Sequence, residues 1–284
     1  MQMTPKFCLF AILYFFVIPP GCATVAAESV PHISKKLEQA AAAELRGDNA
    51  RAYELYTQAT KENPDSAEAW AAFGEHLRFY AHDSKAASAA FKKALEAKQQ
   101  NSNAAAFALR GLGELASKDL QDELAIGYFK KSLQALPLAD THRSLCHLYC
   151  RQRNFKAAAE QANEAVKLNP EDPIARLLYA AQLHRSGDAA EGRKQYEKAL
   201  IDGGLNAQGP VHCCVIYNAA GYLGVCADNP AALKMLQRFF ETPNHRHLTR
   251  QEIETDADFE SLKNMPEFRN LLDRYFPDTA PPKK

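Results

Sequence analysis

The feature that most limits what this chain can become is a short phrase that recurs along it. A small residue is followed four positions later by an aromatic or apolar one and three positions after that by another small one; a proline often closes the phrase. Ala52, Tyr56, Ala59 and Pro64 spell it once, and Ala87, Phe91 and Ala94 repeat it without the proline. Ala125, Phe129, Ser132 and Pro137 follow, then Ala158, Ala162, Ala165 and Pro170. Gly192, Tyr196 and Ala199 continue the series, and Ala232 with Leu236 is the loosest copy. The first residues of successive copies stand 35, 38, 33, 34 and 40 positions apart. A period of this length is the signature of stacked supersecondary units, each unable to bury its own apolar face alone.

Ahead of each phrase lies a second helical pattern. In WAAFGEHL, residues 70–77, the positions Trp70, Phe73, Gly74 and Leu77 fall on one helical face. Leu109, Leu112 and Gly113 repeat the theme, as do Leu145, Cys146 and Tyr149, and then Tyr179, Ala180 and Leu183. Two helices approach closely only where a small side chain lets the backbones meet, the role expected of Gly74, Gly113, Ala52 and Ala125. Proline at 64, 137 and 170 ends the second helix of a pair, and NPD (63–65) or NPED (169–172) supplies turn and N-cap chemistry for the next. Alanine makes up much of the 46% hydrophobic content, as close helix packing requires.

These residues resemble the tetratricopeptide repeat (TPR), a helix pair of 34 residues read as W-x2-L-G-x2-Y, then A-x3-F, then P. The resemblance covers about residues 33–241 and implies an all-α, right-handed solenoid of about six repeats. The expected layout is a signal segment over 1–21, a linker over 22–32, the solenoid over 33–243, a cap over 244–276 and a tail over 277–284. The cap is similar to the acidic-then-apolar segment that closes many bacterial TPR proteins, with Asp256, Asp258, Phe259, Leu262, Pro266, Phe268 and Leu271 in its places. Such a cap covers the stacking face that the last repeat would otherwise expose.

The resemblance also implies where a partner sits. In TPR proteins the first helix of each pair lines a concave groove. That register brings Arg110, Glu114, Arg143, His147, Arg151, Leu177, Leu178, His184, Arg185, Tyr217 and Asn218 to the groove. Its basic centre with apolar company suits a protein or peptide segment bearing acidic and apolar side chains. The Lys and Asn set of chaperone-binding TPR domains is not evident, since Leu37 and Ala41 take that face in the first repeat. Binding of chaperone tails is therefore disfavoured.

Nothing in the chain spells an enzyme. There is no G-x-S-x-G, no G-x4-G-K-[ST], no H-E-x-x-H and no paired C-x-x-C, so neither catalytic residues nor cofactors are expected. The 34 basic and 34 acidic side chains cancel, which leaves no global field to recruit nucleic acid. An alternative of another class rests on HRSLCHLYCRQR, residues 142–153, where His142, Cys146 and Cys150 share a helical face and could serve as thiol or metal ligands. Cys146, however, stands where the repeat wants a small residue, and free cysteine packs as a small hydrophobe. The vicinal Cys213 and Cys214, beside His212, read the same way.

The N-terminus decides where such a protein works. Lys6 precedes FCLFAILYFFVI, residues 7–18, an apolar run that suits a signal h-region but falls short of the ~20 residues of a membrane-spanning helix. Pro19, Pro20 and Gly21 interrupt it. The following Gly21-Cys22-Ala23-Thr24 resembles the end of a bacterial lipoprotein signal, which implies acylation of Cys22 and an anchor in the cell envelope facing the periplasm. Ala23 after the cysteine favours the outer membrane. Pro19 and Pro20 depart from the usual lipoprotein pattern, and cleavage after Ala27 would instead release a soluble, secreted protein.

Overall fold

A computed structural model describes residues 35–203, 213–242 and 248–277. The apolar leader, Cys22, the linker and the end of the tail lie outside the described residues. What is described is all-α: fourteen α-helices and a short 3-10 turn. Twelve of the helices form six antiparallel pairs: α1 (Lys35–Leu45) with α2 (Asn49–Glu62), α3 (Ala67–Phe79) with α4 (Ser84–Glu96), and α5 (Ser102–Lys118) with α6 (Asp122–Ala135). The series continues with α7 (Ala139–Arg151) and α8 (Phe155–Leu168), α9 (Pro173–Arg185) and α10 (Ala189–Asp202), and α11 (Cys213–Val225) and α12 (Asn229–Phe240). The cap consists of α13 (Arg250–Thr255), the 3-10 turn Ala257–Phe259 and α14 (Pro266–Tyr275). No described helix is long and apolar enough to cross a membrane. The chain divides into two compact units, one ending at Pro137 and the other beginning at Leu138.

Local chemistry sets the helix ends. Side chains of Asp48, Ser66, Asp83, Asn101, Asn154, Asp172, Asp188 and Asp228 each accept a bond from an early backbone N–H of the helix they precede. In the NPD turn the cap is Ser66, one residue beyond Asp65, whereas Asp172 of NPED caps α9 as expected. Helices α2, α6 and α8 stop two residues before Pro64, Pro137 and Pro170, because a proline disfavours helical geometry in the residue before it. Each turn between the two helices of a pair contains a residue at positive φ: Gly47, His82, Leu120, Arg153, Gly187 and Ala227. Four of the six are not glycine, a recurring strain that the sequence does not announce.

In the first unit the aromatics of two repeat phrases, Phe91 and Phe129, sit on glycines. Phe91, fully buried on α4, lies against both Gly74 of α3 and Gly111 of α5, where added Cβ atoms would stand 2.5 and 2.3 Å from its ring. Phe129 lies on Gly113 in the same way, at 2.6 Å. The backbones thus close on the rings as the pattern requires, and Gly111 adds a second wall to Phe91. The second unit buries larger side chains. Leu177, Ile216, Leu236, Phe239, Phe240, Phe259, Leu262, Phe268 and Leu272 make one core in which the cap is a full member.

Candidate functional site

The faces presented by the first helices of each pair carry the expected groove residues, and the structure accounts for most of their charge internally. In the first unit, Arg78 and Arg110 alternate with Glu75 and Glu114. Arg78 bonds Glu75 at 2.7 Å and Glu114 at 2.5 Å; Arg110 bonds Glu75 at 3.2 Å and Glu114 at 2.8 Å. The four charges close a ring between α3 and α5. Arg110 is only 5% exposed, so it and Glu114 hold two repeats together and offer little to a ligand. Beside them His76 Nδ1 meets Glu44 Oε1 at 2.7 Å, both buried, with the rings of Tyr56 and Tyr80 packed on the imidazole. Burial, and then the Glu44 charge, raise the Tyr56 pKa far above its ordinary value.

The second unit corrects the expectation for Leu177, Leu178 and Asn218. Leu177 and Leu178 lie in the core: Leu177 with Ala199 and Val215, Leu178 with Cys146, Cys150 and Ala162. On α9 the turn that faces the neighbouring repeats on both sides must be apolar, so neither leucine reaches a partner surface. Asn218 is buried too, its amide donating to the Cys214 carbonyl of its own helix at 2.8 Å. Arg143 is held by Asp140 at 2.7 Å and by Asp172 at 3.2 Å. His184 Nδ1 lies 3.3 Å from Cys226 Sγ, a contact that ties α9 to α11.

Two more, Arg185 and Tyr217, are met by the cap. Arg185 donates to Asp258 Oδ1 at 2.7 Å and to the Ala257 carbonyl at 3.2 Å, while its guanidinium lies 4.4 Å from the Phe155 ring centroid. The Tyr217 hydroxyl donates to Asp256 Oδ2 at 2.7 Å, and the Asp258 N–H donates to Asp256 Oδ1 at 2.9 Å. Close approach is possible because α11 carries Gly221 and Gly224 under the turn. A Cβ at Gly221 would lie 2.9 Å from Asp258 Oδ2, and one at Gly224 would lie 2.3 Å from the Asp258 carbonyl oxygen. Ser261 then bonds the Gly224 carbonyl at 2.9 Å and Asn229 at 2.7 Å. The acidic turn predicted as a cap therefore lies on the same basic and aromatic residues predicted to hold a ligand. The signal was present in the spacing of Gly221 and Gly224, but without the fold nothing linked those glycines to residue 258.

Electrostatics follow from this crowding. Burial, reinforced by the neighbouring Asp258 charge, raises Asp256 to about 7. On α7, His147 and Arg151 stay exposed. Desolvation nonetheless lowers the His147 pKa, with Arg143 acting in the same direction and Asp258 against it. The row of His142, Cys146 and Cys150 is not assembled as a ligand set. His142 Nδ1 lies 2.7 Å from Gln161 Oε1, and both thiols are buried, with Gln182 Nε2 3.3 Å from Cys150 Sγ. The contact with Cys150, and burial after it, push the Cys146 thiol well above its ordinary value. No three His, Cys, Asp or Glu side chains among the described residues are grouped to hold a metal ion.

Comparison with known proteins agrees with this architecture. Residues 146–210 match the family model described as tetratricopeptide repeat. No curated protein matches the chain. Among solved structures, PilF of Pseudomonas aeruginosa is similar over 77% of this chain and 95% of its own, at 18% identity and a TM-score of 0.55. PilW, a type IV pilus biogenesis factor, is similar over 74% of this chain and 94% of its own, at 16% identity and a TM-score of 0.56. The TPR protein YrrB shares 26% identity over 67% of this chain and 93% of its own, with a TM-score of 0.45. The fold is that of a TPR protein, its helices packed pairwise as helix-turn-helix repeats, a class built for protein–protein interaction.

Proposed function

We propose that this protein is a non-enzymatic interaction scaffold of the bacterial cell envelope, tethered through a lipid on Cys22, that holds an acidic and apolar segment of a partner on its first-helix face. The observation that carries this reading is the docking of the chain's own acidic turn. Asp256 and Asp258 lie on Tyr217 and Arg185, and Gly221 and Gly224 admit the backbone between them. That arrangement is the chemistry of peptide recognition, used here in cis. The cap takes the α9 and α11 part of the face, so the partner's place is on α7 beside it, across His147 and Arg151.

Two supports for the location come from the sequence: an apolar run too short to span, and Gly-Cys-Ala-Thr directly after its interruption. Acyl chains on Cys22 would hold the protein firmly at the membrane, at ~0.8 kcal/mol for each buried CH2. Twelve residues lie between Cys22 and the first helix at Lys35, a reach of at most ~45 Å, so the scaffold works close to the bilayer.

The test is crosslinking and pull-down from envelope fractions with the full chain and with His147→Glu/Arg151→Glu. Loss of a specific crosslinked partner, with helicity and melting temperature unchanged, supports the groove. An identical set of partners rejects it. Labelled palmitate that marks the wild type and not Cys22→Ala supports the anchor, and an unlabelled wild type returns the protein to the soluble, secreted alternative.

A further inference from the structure

The first unit carries a second recess, on the side of its second helices. It has a volume of about 630 Å³ and is walled by Lys85, Ser88, Ala89 and Lys92 of α4 and by Leu124 and Tyr128 of α6. Its floor is Leu112, Leu115 and Ala116 of α5. The recess has a structural cause. The last turns of α5 bring Leu112, Leu115 and Ala116 beneath the trough. The α4 wall is low because Ser88 and Ala89 stand where bulkier side chains would fill the gap. Leu124 is 48% exposed on the opposite wall, one of the few large apolar side chains that the described residues leave to solvent.

The charged side chains lining this trough are Lys85 and Lys92 on α4 and Asp119 in the turn after α5. Lys85 and Lys92 are seven residues apart on α4, so they line one rim in the same direction, about 10 Å from each other. Both are exposed, and neither has a salt-bridge partner among the described residues. Three arginines of this unit are paired instead: Arg78 and Arg110 with Glu75 and Glu114, and Arg51 with Glu54. An apolar floor between two walls, with an uncompensated basic rim at a two-turn spacing, fits one kind of occupant.

We propose that the trough between α4 and α6 docks an amphipathic helix of a protein partner, its apolar side chains on Leu112, Leu115, Leu124 and Tyr128 and carboxylates two turns apart over Lys85 and Lys92. A helix matches because apolar side chains at i, i+3, i+4 and i+7 form a stripe as narrow as the trough, and acidic residues beside that stripe recur at the lysine spacing. This surface belongs to the first unit and the partner site proposed on α7 to the second, which gives the scaffold two recognition surfaces.

The test uses the full chain and two labelled synthetic helical peptides of about four turns. Both carry leucine along one stripe; one is flanked by glutamate and the other by lysine. The glutamate peptide should bind, and the lysine peptide should bind at least about tenfold more weakly, because like charge now meets like. Lys85→Glu/Lys92→Glu should reverse that preference, and Leu124→Asp should abolish binding of both, while His147→Glu/Arg151→Glu changes neither. Hydrogen exchange on the complex should slow at the α4 and α6 backbones. The proposal is overturned if the two peptides bind alike, if the lysine substitutions leave the preference intact, or if no binding occurs up to about 1 mM. It is overturned as well if the chain forms dimers that Leu124→Asp abolishes, since a second copy would then be the occupant. Both substituted lysines and Leu124 are exposed, and unchanged thermal melting of each variant separates lost binding from lost folding.

Discussion

Arg185, in the last turn of α9, donates to Asp258 Oδ1 at 2.7 Å across 73 residues of sequence, and each side chain is barely an eighth exposed. This bond fastens the cap to the face of the last repeats. It has little slack, because the Asp258 carbonyl rests on the bare backbone at Gly224.

Removing the guanidinium should leave Asp258 largely buried without its cation. Arg185→Ala is expected to destabilise the second unit by about 2–4 kcal/mol, more than a surface pair would. Asp258→Ala alone should cost less than Arg185→Ala, because it removes the buried charge and leaves a guanidinium that still donates to the Ala257 carbonyl. The double variant should be less destabilised than the sum of the two. Urea unfolding of the three variants measures this directly, and additive losses would mean that the pair does not act as a unit.

Asp256 makes the cap sensitive to pH. Its folded pKa is raised to about 7 by burial and by Asp258, above an unfolded value near 4, so the folded state holds the extra proton. The contribution is fully present below the unfolded value and is lost as pH rises through about 7. Acidification from pH 8 to 5 should therefore strengthen the cap, by an amount on the order of 1–2 kcal/mol after allowance for partial exposure. Comparison with Asp256→Asn isolates the carboxylate, and that variant should lose the acid-side gain in a series of urea midpoints between pH 5 and 8.

Phe91 tests the repeat packing. Gly111→Ala would put a Cβ 2.3 Å from Phe91 Cζ, and Gly74→Ala one 2.5 Å from Cε1, in a ring that has no exposed side to escape toward. Overpacking of about 1–3 kcal/mol should outweigh the ~1 kcal/mol that alanine gains over glycine in a helix. Phe91→Leu in the Gly111→Ala background should recover part of the loss, which a thermal melt would register as a rise in Tm over the single variant.

The turn between α5 and α6 offers a change in the other direction. Leu120 sits at φ 58° with 66% of its surface exposed, so its side chain gains little from packing while its backbone is strained. Leu120→Gly should stabilise the first unit by about 1 kcal/mol, the left-handed penalty being larger than the entropy that glycine adds to the unfolded chain. An unchanged or lowered midpoint would show that the leucine contributes contacts beyond its turn.

The period of the repeat was legible because it is written in residues that must touch. Ala-x3-Phe and the helix glycines recur since Phe91 needs Gly74 and Phe129 needs Gly113, and the helix ends follow from Asp, Ser and Asn caps with prolines beyond them. Surface register was less legible. A helical wheel places Leu177, Leu178 and Asn218 near the groove, yet helices flanked by repeats on both sides bury more than half of their circumference, and these three turn inward.

By itself, the sequence determined the class of fold and the helix pairs, because each depends on contacts between residues close along the chain or repeated at a fixed period. Tertiary structure alone decided which charges are free. Arg110, Arg143 and Arg185 look alike in sequence as candidates for a ligand. One is closed into a ring with Glu75, Glu114 and Arg78; another is shared between Asp140 and Asp172; the third is taken by Asp258. Whether an arginine can meet a partner depends on the carboxylates that folding brings within about 4 Å, and several of those come from another repeat.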